Sequence, residues 1–284
     1  MPGQLPPEVS VVVPTRDRPA SLGRCLAALR DQRGAPLEIL VVDDGSRDGA
    51  AVRAAIEATP DARLVESAGR GPAAARNAGA RAARAPIVCF TDDDCEPEPG
   101  WTAALADALA GGAAVAAGRT VNADPGNRLA EASQHVANFL AEDSERTGPP
   151  FAASNNLAAR REVVEELPFD ESFPLAAGED RAWCARLPDR GKRLVHTPDA
   201  VVRHRQDLNA RRFWRQHARY GEGARRYARE RPGALPSSRG LYPRLVASAF
   251  RKGLAVGALV CAAQVATGVG YARAAVRSSI PTYP

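Results

Sequence analysis

Four short β-branched or apolar runs, each separated from the next by a single helical pattern, organise the first third of this chain. They lie at 9–13, 37–42, 62–66 and 87–91. After Pro19, Leu22, Leu26 and Leu29 recur at helical spacing, a weaker helical pattern covers 50–58, and Pro72 opens a helix reaching about residue 83. Strands joined by single helices pair with parallel neighbours, and the helices cover both faces of the sheet. The spacing therefore predicts an α/β fold with a mainly parallel sheet flanked by helices. The chain has 284 residues, enough for one large core or two smaller ones.

The second half is less regular. It predicts helices over 101–109, 127–142 and 179–187 and a short strand at 113–117. Residues 151–156 read as a strand entering a polar turn. Two further short strands follow near 193–196 and 200–204, then a helix over 209–229 and a Pro-rich linker over 232–243. No internal repeat is visible.

The chemistry concentrates in acids at strand ends. The run at 87–91 leads directly into Asp92-Asp93-Asp94. Adjacent carboxylates repel unless a cation or hydrogen-bond donors hold them, and hard oxygen ligands suit Mg²⁺ or Mn²⁺ bridging to phosphates. The position matters too, because open α/β sheets place ligands at the carboxyl ends of strands. Asp43-Asp44-Gly45 closes the second run on the same rim, although Asp and Gly equally suit a plain strand-to-helix turn. Gly178-Glu179-Asp180 sets two acids where a helix begins, a placement that capping alone explains. His204 ends the last short strand. This inventory of metal ligands, general base and nucleotide contacts is what a nucleotide diphosphate would need.

These residues stand in an order that resembles family 2 glycosyltransferases. The matching stretches are Val-Pro-Thr-Arg-Asp-Arg-Pro (13–19), Val-Val-Asp-Asp-Gly-Ser (41–46), Ala-Arg-Asn-Ala-Gly (75–79), Thr-Asp-Asp-Asp-Cys (91–95) and Ser-Asn-Asn (154–156). The longest runs from Gly178-Glu179-Asp180 through Cys184, Arg186-Leu187, Gly191, Pro198 and Ala200 to His204. The resemblance implies a GT-A fold, of the nucleotide-diphospho-sugar transferase type, over residues 1–205. It implies that Pro14, Thr15, Arg16, Asp43, Asp44 and Arg76, with Asp92 and Asp93, bind the donor nucleotide, Asp43 accepting a hydrogen bond from a base that is commonly uracil. It implies Mn²⁺ or Mg²⁺ on Asp92, Asp94 and His204, Asp180 as general base with Glu179 beside it, and Ser154, Asn155 and Asn156 near the sugar or acceptor. A single inverting transfer from a nucleotide sugar to a hydroxyl is the implied reaction. The Gln-x-x-Arg-Trp motif of processive synthases is absent, since Phe213-Trp214 follows Arg211-Arg212 in the wrong order. Asp17 stands where the family often has Asn.

Other readings compete. Gly69-Arg70-Gly71-Pro72-Ala73-Ala74 fits Gly-x-Gly-x-x-Ala and so a dinucleotide-dependent oxidoreductase, yet it follows the third strand rather than the first. A nucleotidyltransferase needs a glycine-rich basic loop where this chain has Pro14-Thr15-Arg16-Asp17-Arg18-Pro19. A non-catalytic sugar-nucleotide binding protein would share the whole donor set.

Composition bears on partners. Lys192 and Lys252 are the only lysines, and residues 203–231 hold ten Arg against three acids, so positive charge collects in a tail on a near-neutral body. That pattern suits phosphates or an anionic membrane surface rather than nucleic acid. Residues 206–284 are expected to form a basic helical extension, with Phe213, His217, Tyr220, Ala224 and Tyr227 as an aromatic stripe packed on the catalytic domain. Residues 253–272 carry no charge and are long enough to cross a bilayer. Their Ala and Gly content, Gln264 and flanking Arg251, Lys252 and Arg273 point instead to an interfacial helix on anionic lipid or a helix docked on another subunit. Five scattered cysteines and a Pro-rich start without a signal pattern lead to the expectation of a cytoplasmic protein, at most touching the inner membrane face.

Overall fold

In the computed structural model, which describes residues 6–147, 149–173, 177–232 and 240–279, the four apolar runs are strands β1 (Val9–Thr15), β2 (Leu37–Asp43), β3 (Ala62–Glu66) and β4 (Ile87–Phe90). Between them lie helices α1 (Pro19–Arg30), α2 (Gly49–Glu57) and α3 (Pro72–Ala82). β5 (Cys95–Pro97), α4 (Trp101–Ala110), β6 (Val115–Asn122), α5 (Arg128–Thr147), β7 (Leu157–Arg160), α6 (Arg161–Glu166), α7 (Glu179–Cys184) and β8 (Leu194–His204) follow. The chain continues with α8 (Ala210–Glu230), α9 (Leu241–Arg251) and α10 (Leu254–Ser279).

One sheet of eight strands runs in the order β3-β2-β1-β4-β7-β6-β8-β5. β3, β2, β1 and β4 pair in parallel, whereas β4–β7, β6–β7 and β5–β8 are antiparallel. The sheet is therefore mixed: parallel where strands and helices alternate, antiparallel beyond. β1 is buried along its whole length because helices cover both faces. Its alternating side chains divide two apolar cores. Val11 and Val13 join Leu22, Leu26, Leu29, Ile39 and Trp101, while Val12 joins Val42, Phe90, Phe169 and Trp183. Each leucine buried from α1 contributes about 1.5–3 kcal/mol. Gly79 of α3 lies so close to β1 that a Cβ there would stand 2.3 Å from Val12 Cγ1.

The chain packs as two compact units. The first holds the described residues of Met1–Val121, Ala152–Ala176 and Trp183–Arg205, and with them the sheet. The second holds those of Asn122–Phe151, Ala177–Ala182 and Gln206–Pro284. The second unit also gathers α5. Within it α8 and α10 approach to backbone contact at two glycines: a Cβ on Gly221 would lie 1.9 Å from Thr267 O, and one on Gly270 1.8 Å from Ala218 O.

Three expectations need correction. Ser154–Asn156 form a 3-10 turn that precedes β7 rather than ending a strand. The two short strands expected near 193–196 and 200–204 are one continuous strand, β8. The linker expected over 232–243 contains the start of α9, while 233–239 lie outside the described residues. Pro243 is compatible with that start because it falls in the first turn, where backbone N–H groups lack helical partners anyway. Of the aromatic stripe, Phe213 packs with Ala132 and Val136 of α5 and with Leu245, Val256 and Val260, while Tyr220 is 41% exposed.

Candidate active site

The carboxyl ends of the parallel strands form the site by construction. Thr15 closes β1, Asp43 closes β2, and the Asp triplet follows β4. Thr91 N donates to Val12 O at 3.2 Å, so the triplet leaves the sheet from a fixed root. A tight turn then forms, with Cys95 N donating to Asp92 O at 3.0 Å. β5 pairs Cys95 with His204 of β8, and Arg205 N donates to Asp94 O at 2.8 Å. That register brings His204 Nε2 to 3.4 Å from Asp94 Oδ1.

The three carboxylates have different environments. Asp93 is fully buried and accepts a hydrogen bond from Thr15 Oγ1 at 2.7 Å; Arg18 Nη2 lies 2.6 Å from its other oxygen. Burial pushes the Asp93 carboxyl up to about 7 against the pull of Arg18, and the neighbouring Asp94 charge adds to the rise. Asp94 accepts from Arg18 Nη1 at 2.6 Å. Burial opposes its ionisation too, but His204 and Arg18 outweigh it and hold the Asp94 carboxyl below the usual range. His204 is the mirror case: burial disfavours its charge, and the Asp94 carboxylate raises its pKa regardless. Asp92 accepts from Arg76 Nη2 at 2.8 Å; the Arg76 side chain is buried and its guanidinium lies 5.9 Å from the centre of the Phe169 ring.

The donor set fits a hard divalent cation. A separation of 3.4 Å between an oxygen and an imidazole nitrogen can be spanned by two ligand atoms about 2.0–2.2 Å from one ion. Cys95 offers its sulfur to the same group. However, burial pushes its thiol well above the ordinary range, so it is protonated beside oxygen donors that suit Mg²⁺ or Mn²⁺ better. Asn155 Nδ2 lies 3.4 Å from His204 Nδ1, and its buried Oδ1 has no hydrogen-bond partner among the described residues. A buried amide oxygen of this kind beside His204 is a ready acceptor for a hydroxyl or a bound water.

Two of the expected contacts are taken up internally. Asp44 accepts from Ser67 Oγ at 3.0 Å and from Gly71 N at 2.9 Å, so its carboxylate braces the loop after β2 against the start of α3. The position where a dinucleotide pyrophosphate would need the helix N–H groups is thus held by a side chain, which removes the structural basis of the oxidoreductase reading. Asn156 accepts from Trp101 Nε1 at 2.8 Å and donates to Ala200 O at 3.1 Å, deep in the first unit. Both side chains thus have structural partners. Asp43 keeps one oxygen on Ser46 N at 2.9 Å. Arg16 is exposed, Pro14 is buried in β1 and Ser154 is buried in the turn before β7. Glu179 and Asp180 open α7 in the second unit; Glu179 is buried, and Asp180 Oδ1 accepts from Arg181 N at 2.7 Å.

Arg18 is the residue that motif reading missed. It stands inside the quoted Pro-Thr-Arg-Asp-Arg-Pro run but precedes Pro19, where it reads only as the flank of a helix. The signal was electrostatic, since three adjacent acids require a cation.

A GT-A sheet with an acidic rim that suits a hard cation is the class of architecture these residues define. The comparisons agree. Residues 10–168, more than half the chain, match glycosyl transferase family 2. The chain is 31% identical over 206 residues to Glycosyltransferase AglE of Haloferax volcanii, covering 70% of this chain and 67% of that one. It is 30% identical over 232 residues to the Pre-mycofactocin glycosyltransferase of Mycobacterium tuberculosis, covering 76% of this chain and 47% of the relative. The chain thus spans about half the length of that relative. Its fold is similar to that of the mannosyltransferase PcManGT from Pyrobaculum calidifontis, solved with GDP-Man and Mn²⁺, at a TM-score of 0.60 and 26% identity, covering 98% of this chain and 78% of that one. The chain belongs to glycosyl transferase family 2.

Proposed function

We propose that the enzyme moves one sugar from a nucleoside-diphosphate donor to an acceptor hydroxyl with inversion, without processive extension. The observation that carries this reading is the 3.4 Å approach of His204 Nε2 to Asp94 Oδ1 at the carboxyl rim of the sheet. Asp94 and His204, with Asp92, would hold Mn²⁺ or Mg²⁺. Such an ion supplies charge neutralisation as the diphosphate leaves, stabilising the transition state more than the ground state. The Mn²⁺ bound by PcManGT is in keeping with that choice.

The chain's own residues divide the remaining work. Thr15, Arg16, Asp43 and Arg76 bind and orient the nucleoside; the donor is uridine-linked if Asp43 accepts from the base as the family resemblance implies. Arg76 keeps Asp92 in register. Asp93, buried and tied to Thr15 and Arg18, holds the triplet's shape and helps position ribose or sugar. Asn155 offers its free amide oxygen to a sugar or acceptor hydroxyl. Asp180 takes the acceptor proton, with Glu179 supporting it. The acceptor is a glycan end, a lipid-linked sugar or a small metabolite bearing a free hydroxyl.

The enzyme works in the cytoplasm, with α10 touching the anionic inner face of the membrane. Leu254, Val265 and Val276 are exposed on α10, and Leu254–Val276 is long and apolar enough to cross a membrane by length and composition. Sedimentation with anionic vesicles tests that part, and recovery of all protein in the supernatant contradicts it.

A thermal-shift panel of nucleotide sugars with Mn²⁺ tests the donor. Ligands that bind the native state raise the melting temperature. A shift with UDP- or GDP-sugars supports the reading, and a shift with NADH alone overturns it.

A further inference from the structure

Arg18 is fixed at its root and half-exposed at its head. Its carbonyl accepts from Leu22 N at 3.0 Å as α1 begins. The preceding Asp17 is the one non-glycine among the described residues with a positive φ, +56°, and it is pinned on both sides. Its N–H donates to Ser46 Oγ at 2.9 Å, and its carboxylate accepts from Arg47 N at 2.8 Å and Arg47 Nε at 3.1 Å. The Arg18 side chain nevertheless is 49% exposed. Its two terminal nitrogens bridge neighbouring carboxylates, Nη2 on Asp93 Oδ1 and Nη1 on Asp94 Oδ2, each at 2.6 Å.

Asp94 therefore has one oxygen on a guanidinium and the other facing His204. A dication entering between Asp94 and His204 meets a unit positive charge on the same carboxylate. Like charges sharing a partly desolvated ligand compete for it. A nucleoside diphosphate changes that balance, because it offers a mobile guanidinium two phosphate groups in bidentate geometry.

We infer that Arg18 is a resident counter-cation of the Asp triplet, which competes with the divalent ion until the donor diphosphate arrives to take the guanidinium over. It is a positioning residue, and the inference rests on the metal-diphosphate reading proposed above. In the free enzyme Arg18 holds the adjacent Asp93 and Asp94 carboxylates together. It also keeps the metal affinity low, so metal and donor bind together rather than metal alone.

The test is Mn²⁺ binding to the full chain in the absence of nucleotide, by calorimetry or from the electron paramagnetic resonance signal of free Mn²⁺. Arg18→Gln should lower the Mn²⁺ dissociation constant by about tenfold or more, the scale for removing a charge in contact with a ligand carboxylate. Arg18→Lys keeps the charge and should stay near the wild type. The same Arg18→Gln change should weaken binding of metal-free UDP or GDP. Because that variant leaves Asp93 buried without its cation, the double change Arg18→Gln with Asp93→Asn serves as a control for folding, and it should keep the tighter Mn²⁺ binding because Asp94 is still relieved of the guanidinium. Unchanged or weaker Mn²⁺ binding in Arg18→Gln overturns the inference while leaving the metal site intact. A wild type that takes up no Mn²⁺, with or without UDP or GDP, overturns the metal reading itself and this inference with it.

Discussion

His204 Nε2 stands 3.4 Å from Asp94 Oδ1 because a three-residue strand pairs Cys95 with His204. The pairing couples two segments far apart in sequence, and the chemistry of the rim depends on it. His204→Ala removes the proposed nitrogen ligand while leaving Asp92 and Asp94. Mn²⁺ affinity measured with UDP or GDP present should fall about 10–100-fold, with little change in melting temperature without metal. Unchanged Mn²⁺ affinity would remove His204 from the metal site.

Asn156 should behave as a structural residue although it lies beside Asn155. Asn156→Ala strands Trp101 Nε1 and Ala200 O in a buried region. The expected loss is about 1–3 kcal/mol in urea unfolding, with turnover per folded molecule retained. A normal unfolding midpoint with lost turnover would return Asn156 to the ligand set.

Acid should destabilise the second unit through His217. The ring is buried against Phe213 and Tyr220, and neither nitrogen has a hydrogen-bond partner among the described residues. Burial lowers its pKa to about 4 from the ordinary value near 6.5. Between those values the unfolded chain binds a proton that the native chain does not. Its contribution is therefore fully present above pH 6.5 and is lost as pH falls towards 4, at up to about 1.4 kcal/mol per pH unit. His217→Phe should flatten the melting-temperature profile over that window relative to the wild type, and superimposable profiles would contradict the assignment.

Asp180→Asn keeps the side-chain shape and removes the proton acceptor. Turnover should drop by about 10²–10⁴-fold, the range for losing a general base, with donor affinity little changed. Glu179→Gln should be milder. A defect confined to donor affinity would reassign Asp180 to the donor site.

The first half of the fold was legible because β1 to β4 are apolar runs punctuated by Pro19, Gly45 and the Asp triplet, so period and turn chemistry agree. The antiparallel strands were harder. β5 is only Cys95-Glu96-Pro97, and Pro198 makes β8 read as two pieces although it is continuous. α9 hid behind Pro243, which ends a helix in its interior and is accepted in its first turn. The acids of the site stood out because repulsion demands an explanation. Which of them face a ligand did not, because Asp44 and Asn156 are claimed by Gly71 and Trp101, partners set by tertiary packing rather than by spacing. Arg18 was hidden in the same way, since only the folded loop brings it onto Asp93 and Asp94.

The central claim is that the Asp94–His204 rim binds a divalent cation on which sugar transfer depends. The most direct measurement is release of nucleoside diphosphate from a donor nucleotide sugar, first in Mn²⁺, then in excess EDTA, then after Mn²⁺ is restored, in the wild type and in Asp94→Ala. The account predicts that release stops in EDTA, returns with Mn²⁺, and in Asp94→Ala stays at least about 100-fold below the wild type throughout, the scale of transition-state charge stabilisation by one metal. Full release by the wild type in EDTA, or a normal rate in Asp94→Ala, would contradict it.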